Sequence, residues 1–312
     1  MKSKLVIGTR GSRLAMWQAE HVSAALKAHH PDLEVALQVI RTTGDHIQDV
    51  PLARIGGKGL FIKEIEEALL DRRCDLAVHS LKDVPDTVPD GLILAAYLER
   101  EMPYDAFVSD RFERLADLPD GARVGTSSLR RAAQLRHLRP DLEVVALRGN
   151  LDTRLRRLRE GLDAVILAAA GLRRLGLSER IREVLTPPEF VPAVGQGVVV
   201  VECRADDPEV LPRLQVLDHE RTRCMVRAER AFLAAVGGGC QVPLGAHAQV
   251  QDRRITVIGM IARADGGEVL RDRVEAAVAE AEDAGARLAA RLLAAGGARI
   301  LRELEQNPPW GR

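Results

Sequence analysis

A hydroxyl, an ammonium and a carboxylate follow one short apolar run. Leu76-Ala77-Val78 leads through His79 into Ser80, Leu81, Lys82, Asp83 and Val84, and Pro85 stops it. Read as one extended strand, the alternation of faces sends Lys82 and Asp83 to opposite sides. Pro85 biases Val84 to an extended backbone and limits where the Asp83 carboxylate can swing. Polar groups at the end of a buried strand are how open α/β sheets build a ligand crevice; a strand end with solvated charges would read the same. The second candidate is Cys240, in Gly237-Gly238-Gly239-Cys240-Gln241-Val242-Pro243. Three glycines before it permit close backbone approach and positive φ, and leave the thiol unshielded and able to react. Cys74, Cys203 and Cys224 stand in apolar or helical contexts and read as inert, buried hydrophobes.

Anion sites recur at strand and helix ends. Thr9-Arg10-Gly11-Ser12 feeds a helix N-terminus, with Ser12 as its cap and Arg10 beside backbone N–H groups that suit a carboxylate or phosphate. Thr126-Ser127-Ser128 precedes Leu129-Arg130-Arg131 in the same way, so hydroxyls, N–H groups and two guanidiniums converge. Arg148-Gly149-Asn150 ends a further strand, and Gly171-Leu172-Arg173-Arg174 follows another. Arg156, Arg157 and Arg159, on a helix face, read as solvated. Gly56-Gly57-Lys58-Gly59 lacks the GxxxxGK[ST] spacing, and no strand leads into it; it is a glycine-hinged loop presenting Lys58 rather than a phosphate loop.

The elements that must position these groups alternate. Strands are expected at residues 4–8, 34–41, 75–78 and 91–98, with helices at 14–28 and 60–70 between them, which points to an α/β domain with a largely parallel sheet. A second α/β unit has strands at 106–108, 123–125, 144–147 and 164–169 and a helix running to Leu138. Pro187, Pro188 and Pro192 then break the chain before Gly195-Gln196-Gly197 and an apolar strand over 198–202. A long helix from Asp218 to about Val236, strands at 246–251 and 254–263, and an Ala-rich helix over 275–295 make a small α+β domain.

Composition narrows the classes. At 312 residues the chain is long enough for two or three domains. It has 46% hydrophobic residues, no apolar run long enough to span a bilayer, and no signal-peptide core before its first strand. The four cysteines lack CxxC spacing, which argues against a zinc site and for a reducing, cytoplasmic setting. Net charge is zero, yet 14 arginines face 6 acidic residues between Arg123 and Arg182, so the middle of the chain expects an acidic partner. Nucleic acid is a poor fit, since 3% aromatic residues leave few stacking platforms. Only 6 of the 45 basic residues are lysines, and Lys58, Lys63 and Lys82 are the last three.

Taken together, these motifs resemble the porphobilinogen deaminase (hydroxymethylbilane synthase) family over the whole chain. Glu229-Arg230-Ala231-Phe232 through Gly239-Cys240-Gln241-Val242-Pro243-Leu244-Gly245 is similar to its cofactor-attachment signature. Gly8–Ser12, Gly56–Phe61, His79–Pro85, Thr126–Arg131 and Arg148–Asn150 match in family order. Val198-Val199-Val200 departs from the smaller residues usual there and bears on packing at that crossover. The resemblance implies two lobes like those of periplasmic binding proteins, joined by a double chain crossover, plus a small C-terminal α+β domain. The expected division is residues 1–98 with 198–216, then 99–197, then 217–312. It implies a transferase that condenses four porphobilinogen molecules head to tail into hydroxymethylbilane, releasing ammonia; separately, the neutral charge and the lack of heptads leave monomer as the default. The primer is a dipyrromethane held by a thioether to Cys240; no metal, nucleic acid or membrane is involved. Asp83 is implied as the catalytic carboxylate. Ser80, Lys82, Asp83, Thr126, Ser128, Arg130 and Arg131 are implied to hold the cofactor. Arg10, Ser12, Ser127, Arg148, Arg154, Arg174 and Gln196 would take substrate carboxylates, and Lys58 and Phe61 would belong to a lid. The rival from another class is a non-catalytic, two-lobed binder of polycarboxylates.

Overall fold

The computed structural model describes residues 2–46, 62–237 and 242–307. Lys58, Phe61 and Cys240 lie outside the described residues. The chain forms two compact units. One holds the described residues as far as Glu101 together with Gly197–Arg223; the other holds Met102–Gln196 and the described residues from Cys224 onward. The backbone thus leaves the first unit, returns to it at Gly197 and leaves again.

The first unit is built on a five-stranded sheet of β1 (Lys4–Thr9), β2 (Glu34–Val39), β3 (Leu76–Ser80), β4 (Leu92–Tyr97) and β10 (Val199–Arg204), in the order β2-β1-β3-β10-β4. Period-2 alternation sorts its side chains. Leu5, Ile7, Leu76, Val78, Val199 and Val201 pack on one face with Val22 and Leu26 of helix α1 (Arg13–His29). Ala77 turns to the other face, under Ile65, Ala68 and Leu69 of helix α2 (Lys63–Leu70). Covered on both faces, these strands read in sequence as nearly continuous apolar runs. Val198, Val199 and Val200 are all buried, so the crossover accepts their bulk.

Two expectations are corrected here. The sheet is mixed rather than largely parallel: β1 pairs in parallel with β2 and β3, whereas β10 runs antiparallel to β3 and β4. The returning segment supplies the antiparallel strand, which the order of elements before Leu98 cannot reveal. Lys82 and Asp83 do not alternate across a strand either. β3 ends at Ser80, and Leu81–Asp83 form a single 3-10 turn. The Leu81 N–H donates to Val198 O at 3.0 Å and the Val84 N–H to Leu81 O at 3.0 Å, which closes the turn.

The second unit carries two sheets. β5 (Asp105–Val108), β6 (Arg123–Gly125), β7 (Glu143–Val145), β8 (Ala164–Ala168) and β9 (Glu183–Leu185) lie in the order β7-β6-β8-β5-β9. Alternation again makes two layers, Phe107, Val124, Ile166 and Phe190 on one side and Ala106, Val108, Val165 and Leu167 on the other. Helices α3 (Leu129–Leu138), α4 (Leu151–Leu158) and α5 (Ala169–Arg174) follow strand ends. The other sheet is an antiparallel meander of β11 (Leu244–Gln251), β12 (Arg254–Ala262) and β13 (Val269–Ala277). It packs on α6 (Glu220–Val236) and α7 (Ala281–Leu292) through Phe232, Val257, Ile261 and Leu288. Gly285 permits the helices to touch, because a Cβ there would sit 2.0 Å from Ala228 O. The third strand replaces the start of the expected Ala-rich helix. Glu275-Ala276-Ala277 is helical in composition, but its pairing with β12 decides, as cross-strand contacts commonly override propensity.

Cys74 and Cys203 are buried, and burial pushes their thiols up to about 11 and about 12. Cys224 is half-buried, with its Sγ 3.7 Å from Val278 O.

Candidate active site

In the first unit the chemistry gathers where β3 ends. Gln18 of α1, itself buried, donates to Ser80 Oγ at 2.8 Å and ties the helix to the strand. Leu81 is buried and acts as the peg of the turn, which leaves Lys82 half-buried and Asp83 exposed. The Asp83 carboxylate accepts no hydrogen bond from any described residue. Ser12 caps α1 by accepting from the Ala15 N–H at 3.3 Å, and α1 has no acidic residue in its first turn. Nothing in that turn neutralises the positive end of the helix, and half-buried Arg10 stands just before it.

In the second unit the arginines close around one carboxylate. Asp105, at the start of β5, is fully buried. It accepts from Arg130 Nη1 at 2.7 Å, from Arg131 Nε at 2.9 Å and Nη2 at 2.7 Å, and from Gln196 Nε2 at 3.0 Å. Burial pushes the Asp105 carboxyl up, but the two guanidiniums outweigh it and hold the group well below the usual carboxylate range. Burial lowers Arg130, and Asp105 opposes that effect. Arg130 Nη1 also donates to Val191 O at 2.7 Å, and Gln134 clasps the same residue through its N–H at 2.7 Å and its carbonyl at 3.1 Å. Helix α3 is thereby locked to the segment that carries Gln196. Arg130 Nε remains buried without a hydrogen-bond partner.

The hydroxyls ahead of α3 are engaged in shaping it. Ser128 caps the helix, Thr126 Oγ1 accepts from the Ser128 N–H at 3.2 Å, and Ser127 Oγ both donates to Leu147 O at 2.6 Å and accepts from the Leu147 N–H at 2.9 Å. That clasp joins β6's end to the residue before Arg148. Gly149, at φ 101°, then turns the chain, and Asn150 caps α4 by accepting from the Thr153 N–H at 2.9 Å. Arg148 is half-buried, its pKa lowered by burial, and it bonds to no described residue. Arg154 Nε donates to Gly149 O at 2.9 Å, and Arg174 is half-buried at the end of α5. Arg156 and Arg157 are exposed beside Glu160.

Asp105, Gln134 and Gln18 were absent from the candidates read in sequence. A charged residue opening the apolar run Ala106-Phe107-Val108 is the one signal that marks Asp105. The two glutamines carry none. On either side of residues 238–241, Glu229 of α6 is buried and accepts from the Gly195 and Ala248 N–H groups, each at 2.7 Å.

Each α/β unit gathers polar side chains at its strand ends, an unbonded aspartate in one and a buried nest of arginines around Asp105 in the other, the arrangement of a small-molecule-handling α/β protein. The chain belongs to the porphobilinogen deaminase family. Residues 5–212 match the family described as "Porphobilinogen deaminase, dipyromethane cofactor binding domain", and residues 223–294 match "Porphobilinogen deaminase, C-terminal domain". The porphobilinogen deaminase of Syntrophotalea carbinolica is 54% identical over 307 residues, 98% of this chain and 98% of that protein. That of Chromobacterium violaceum is 52% identical over 306 residues, 98% of this chain and 99% of that protein. Among solved structures, the methionine binding protein MetQ covers 71% of this chain and 92% of its own, with a TM-score of 0.45 and 15% identity. Among the described residues no helix is long and apolar enough to cross a membrane.

Proposed function

We propose that this chain condenses four porphobilinogen molecules head to tail into hydroxymethylbilane, with release of ammonia, on a dipyrromethane primer attached through Cys240. The observation that carries the reading is the family match across nearly the whole chain. The residues present fit the primer. Its acidic side arms call for cationic donors, and Arg130 keeps a buried N–H without an acceptor while Arg148 keeps a whole guanidinium without one. When bound, the primer supplies the nucleophilic pyrrole carbon.

The chain's own groups divide the work. Asp83, exposed and unbonded, accepts pyrrole N–H hydrogen bonds. It also stabilises the methylene-pyrrole cation formed on the substrate when its C–N bond breaks and the nitrogen departs as ammonia; a fixed carboxylate favours that charge. Ser80 and Lys82, on either side of the buried Leu81 peg, hold an acidic arm of the primer, as do Thr126, Ser128, Arg130 and Arg131. Arg10, Ser12, Arg148, Arg154 and Arg174 bind the acetate and propionate of the substrate. Ser127 and Gln196, whose donors are spent on Leu147 O and on Asp105 and Pro103 O, serve the same binding by holding the Arg148 turn and the Asp105 nest in place. Guanidinium forks match carboxylates bidentately, which suits a product whose negative charge grows with every ring. Lys58 and Phe61, which lie outside the described residues, are assigned to a lid on the family resemblance alone. Division into residues 1–98 with 198–216, 99–197 and 217–312 belongs to the same reading, supported by three sheets that each have an apolar core of their own. The enzyme works as a cytoplasmic monomer without nucleic acid, in keeping with a formal net charge of zero.

Intact mass spectrometry tests the reading. The purified protein carries an adduct equal to two condensed pyrroles, and Cys240→Ser lacks it. An unmodified, inactive wild-type protein that still binds polycarboxylates would replace the enzyme with a binder.

A further inference from the structure

Under helix α2, three polar side chains occupy positions that would otherwise be filled by apolar ones. Glu202 of β10 is 0% exposed, His79 of β3 5% and Glu66 of α2 9%. The register explains why they meet. His79 stands opposite Val200 and Ala77 opposite Glu202 in the antiparallel pair of β3 and β10, so His79 and Glu202 are diagonal neighbours on one face. That face is the one α2 covers. His79 Nε2 and Glu202 Oε2 are hydrogen-bonded at 3.0 Å. Two acceptors are left over: Glu66 Oε1 and Glu202 Oε1 are both buried without a hydrogen-bond partner.

A protonated carboxyl donates where a carboxylate only accepts, so one proton placed between these two oxygens would satisfy both. We propose that Glu66 and Glu202 hold one proton between them, beside His79, and that this proton fixes the end of β3 from which the Ser80–Asp83 segment departs. The functional half rests on the reading of Asp83 as the catalytic carboxylate.

Among the described residues no other charge on this face replaces the proton. Arg204, two residues beyond Glu202, is held by Asp207, Asp75 and the carbonyls of Leu69 and Cys74. The Cys74 thiol stays protonated, Glu64 is bound to Thr43, and Lys63 and Glu67 pair with each other on the exposed side of α2. β4 offers no charged side chain, and Lys4 of β1 is paired with Glu34. Burial first, then the charge of Glu202, raise the Glu66 carboxyl to about 7, with His79 opposing. A carboxyl raised in the folded state stabilises the fold at acid pH and loses that contribution as pH climbs through about 7. Above that pH two buried carboxylates share the face between α2 and the sheet, and the end of β3 loosens.

Glu66→Gln tests this, because it keeps the shape and a hydrogen-bond donor but cannot titrate. Infrared spectra of the wild-type holoenzyme at about pH 6 should show a protonated carboxylic acid C=O stretch that fades as pH rises and is missing in Glu66→Gln. The variant's Tm should be flatter with pH between about 5 and 8, and its kcat at about pH 8 relative to about pH 6 should exceed the wild-type ratio by up to tenfold. If Glu66→Gln does not fold, Glu202→Gln serves in the same comparison. An absent acid band or an unchanged Tm slope overturns the shared proton. A band with unchanged kcat profiles overturns the link to the Ser80–Asp83 segment, while Asp83→Ala reports separately on the catalytic role itself.

Discussion

Arg130 reaches the Asp105 carboxylate at 2.7 Å, yet its own Nε–H, equally buried, meets no acceptor. One carboxylate therefore anchors two guanidiniums without exhausting them. The ion pair builds the nest, and one buried donor of Arg130 is left over.

Removing the anchor should be severe. Asp105→Ala leaves two guanidiniums buried without their counter-charge, and breaking a buried pair on one side costs about 3–5 kcal/mol. Urea unfolding followed by circular dichroism measures the loss, and a change under about 1 kcal/mol would deny the anchor role. The wild-type contribution has a definite pH sign. The Asp105 pKa is depressed by folding, so its stabilisation is complete above the unfolded value near 3.9 and disappears only in stronger acid. Stability attributable to this group should be level from neutral pH to about pH 5.

Arg148→Leu should separate binding from folding. Arg148 bonds to no described residue, so its loss should shift stability by no more than about 0.5 kcal/mol. A hydrogen bond to a charged group contributes about 1.5–3 kcal/mol, which predicts a tenfold to hundredfold loss in handling the carboxylated substrate. Native mass spectrometry of stalled enzyme–substrate intermediates against elapsed turnover reads it; unhindered elongation would count against a carboxylate clamp.

Asp83→Ala should leave the thermal midpoint within a degree or two of wild type, because the side chain is exposed and unbonded. Turnover should drop by at least about a hundredfold, the usual effect of removing one preorganised electrostatic group. Ammonia release per mole of enzyme is the direct assay, and activity near wild type would remove Asp83 from the mechanism.

Gly285→Ala sets two effects against each other. Alanine gains about 0.8–1.0 kcal/mol of helix propensity over glycine. The added Cβ, however, would lie 2.0 Å from Ala228 O, and forcing α7 off α6 should cost about 1–3 kcal/mol. The balance predicts net destabilisation by denaturant titration. A stabilised variant would mean that the two helices are free to part.

The sequence alone determined the local chemistry and most of the elements, because both are written in short-range patterns. Ser12, Ser128 and Asn150 cap helices where their hydroxyl or amide precedes an apolar repeat. The double-faced apolar runs of β1 and β8 announce buried strands. The motifs from Arg10 to Cys240 were sufficient to name the family, since their order along the chain is itself information. Tertiary structure decided what depends on partners distant in sequence. β10 enters the first sheet antiparallel from beyond Gly197, β13 is a strand because β12 lies beside it, and Asp83 stands on a turn because Leu81 is pegged against the returning segment. Asp105 and Glu66 were not singled out in the sequence: folding places two guanidiniums on Asp105, and it buries Glu66 on the helix that covers the His79–Glu202 face. Burial and charge pairing are sums over three-dimensional neighbours, so no window of sequence contains them.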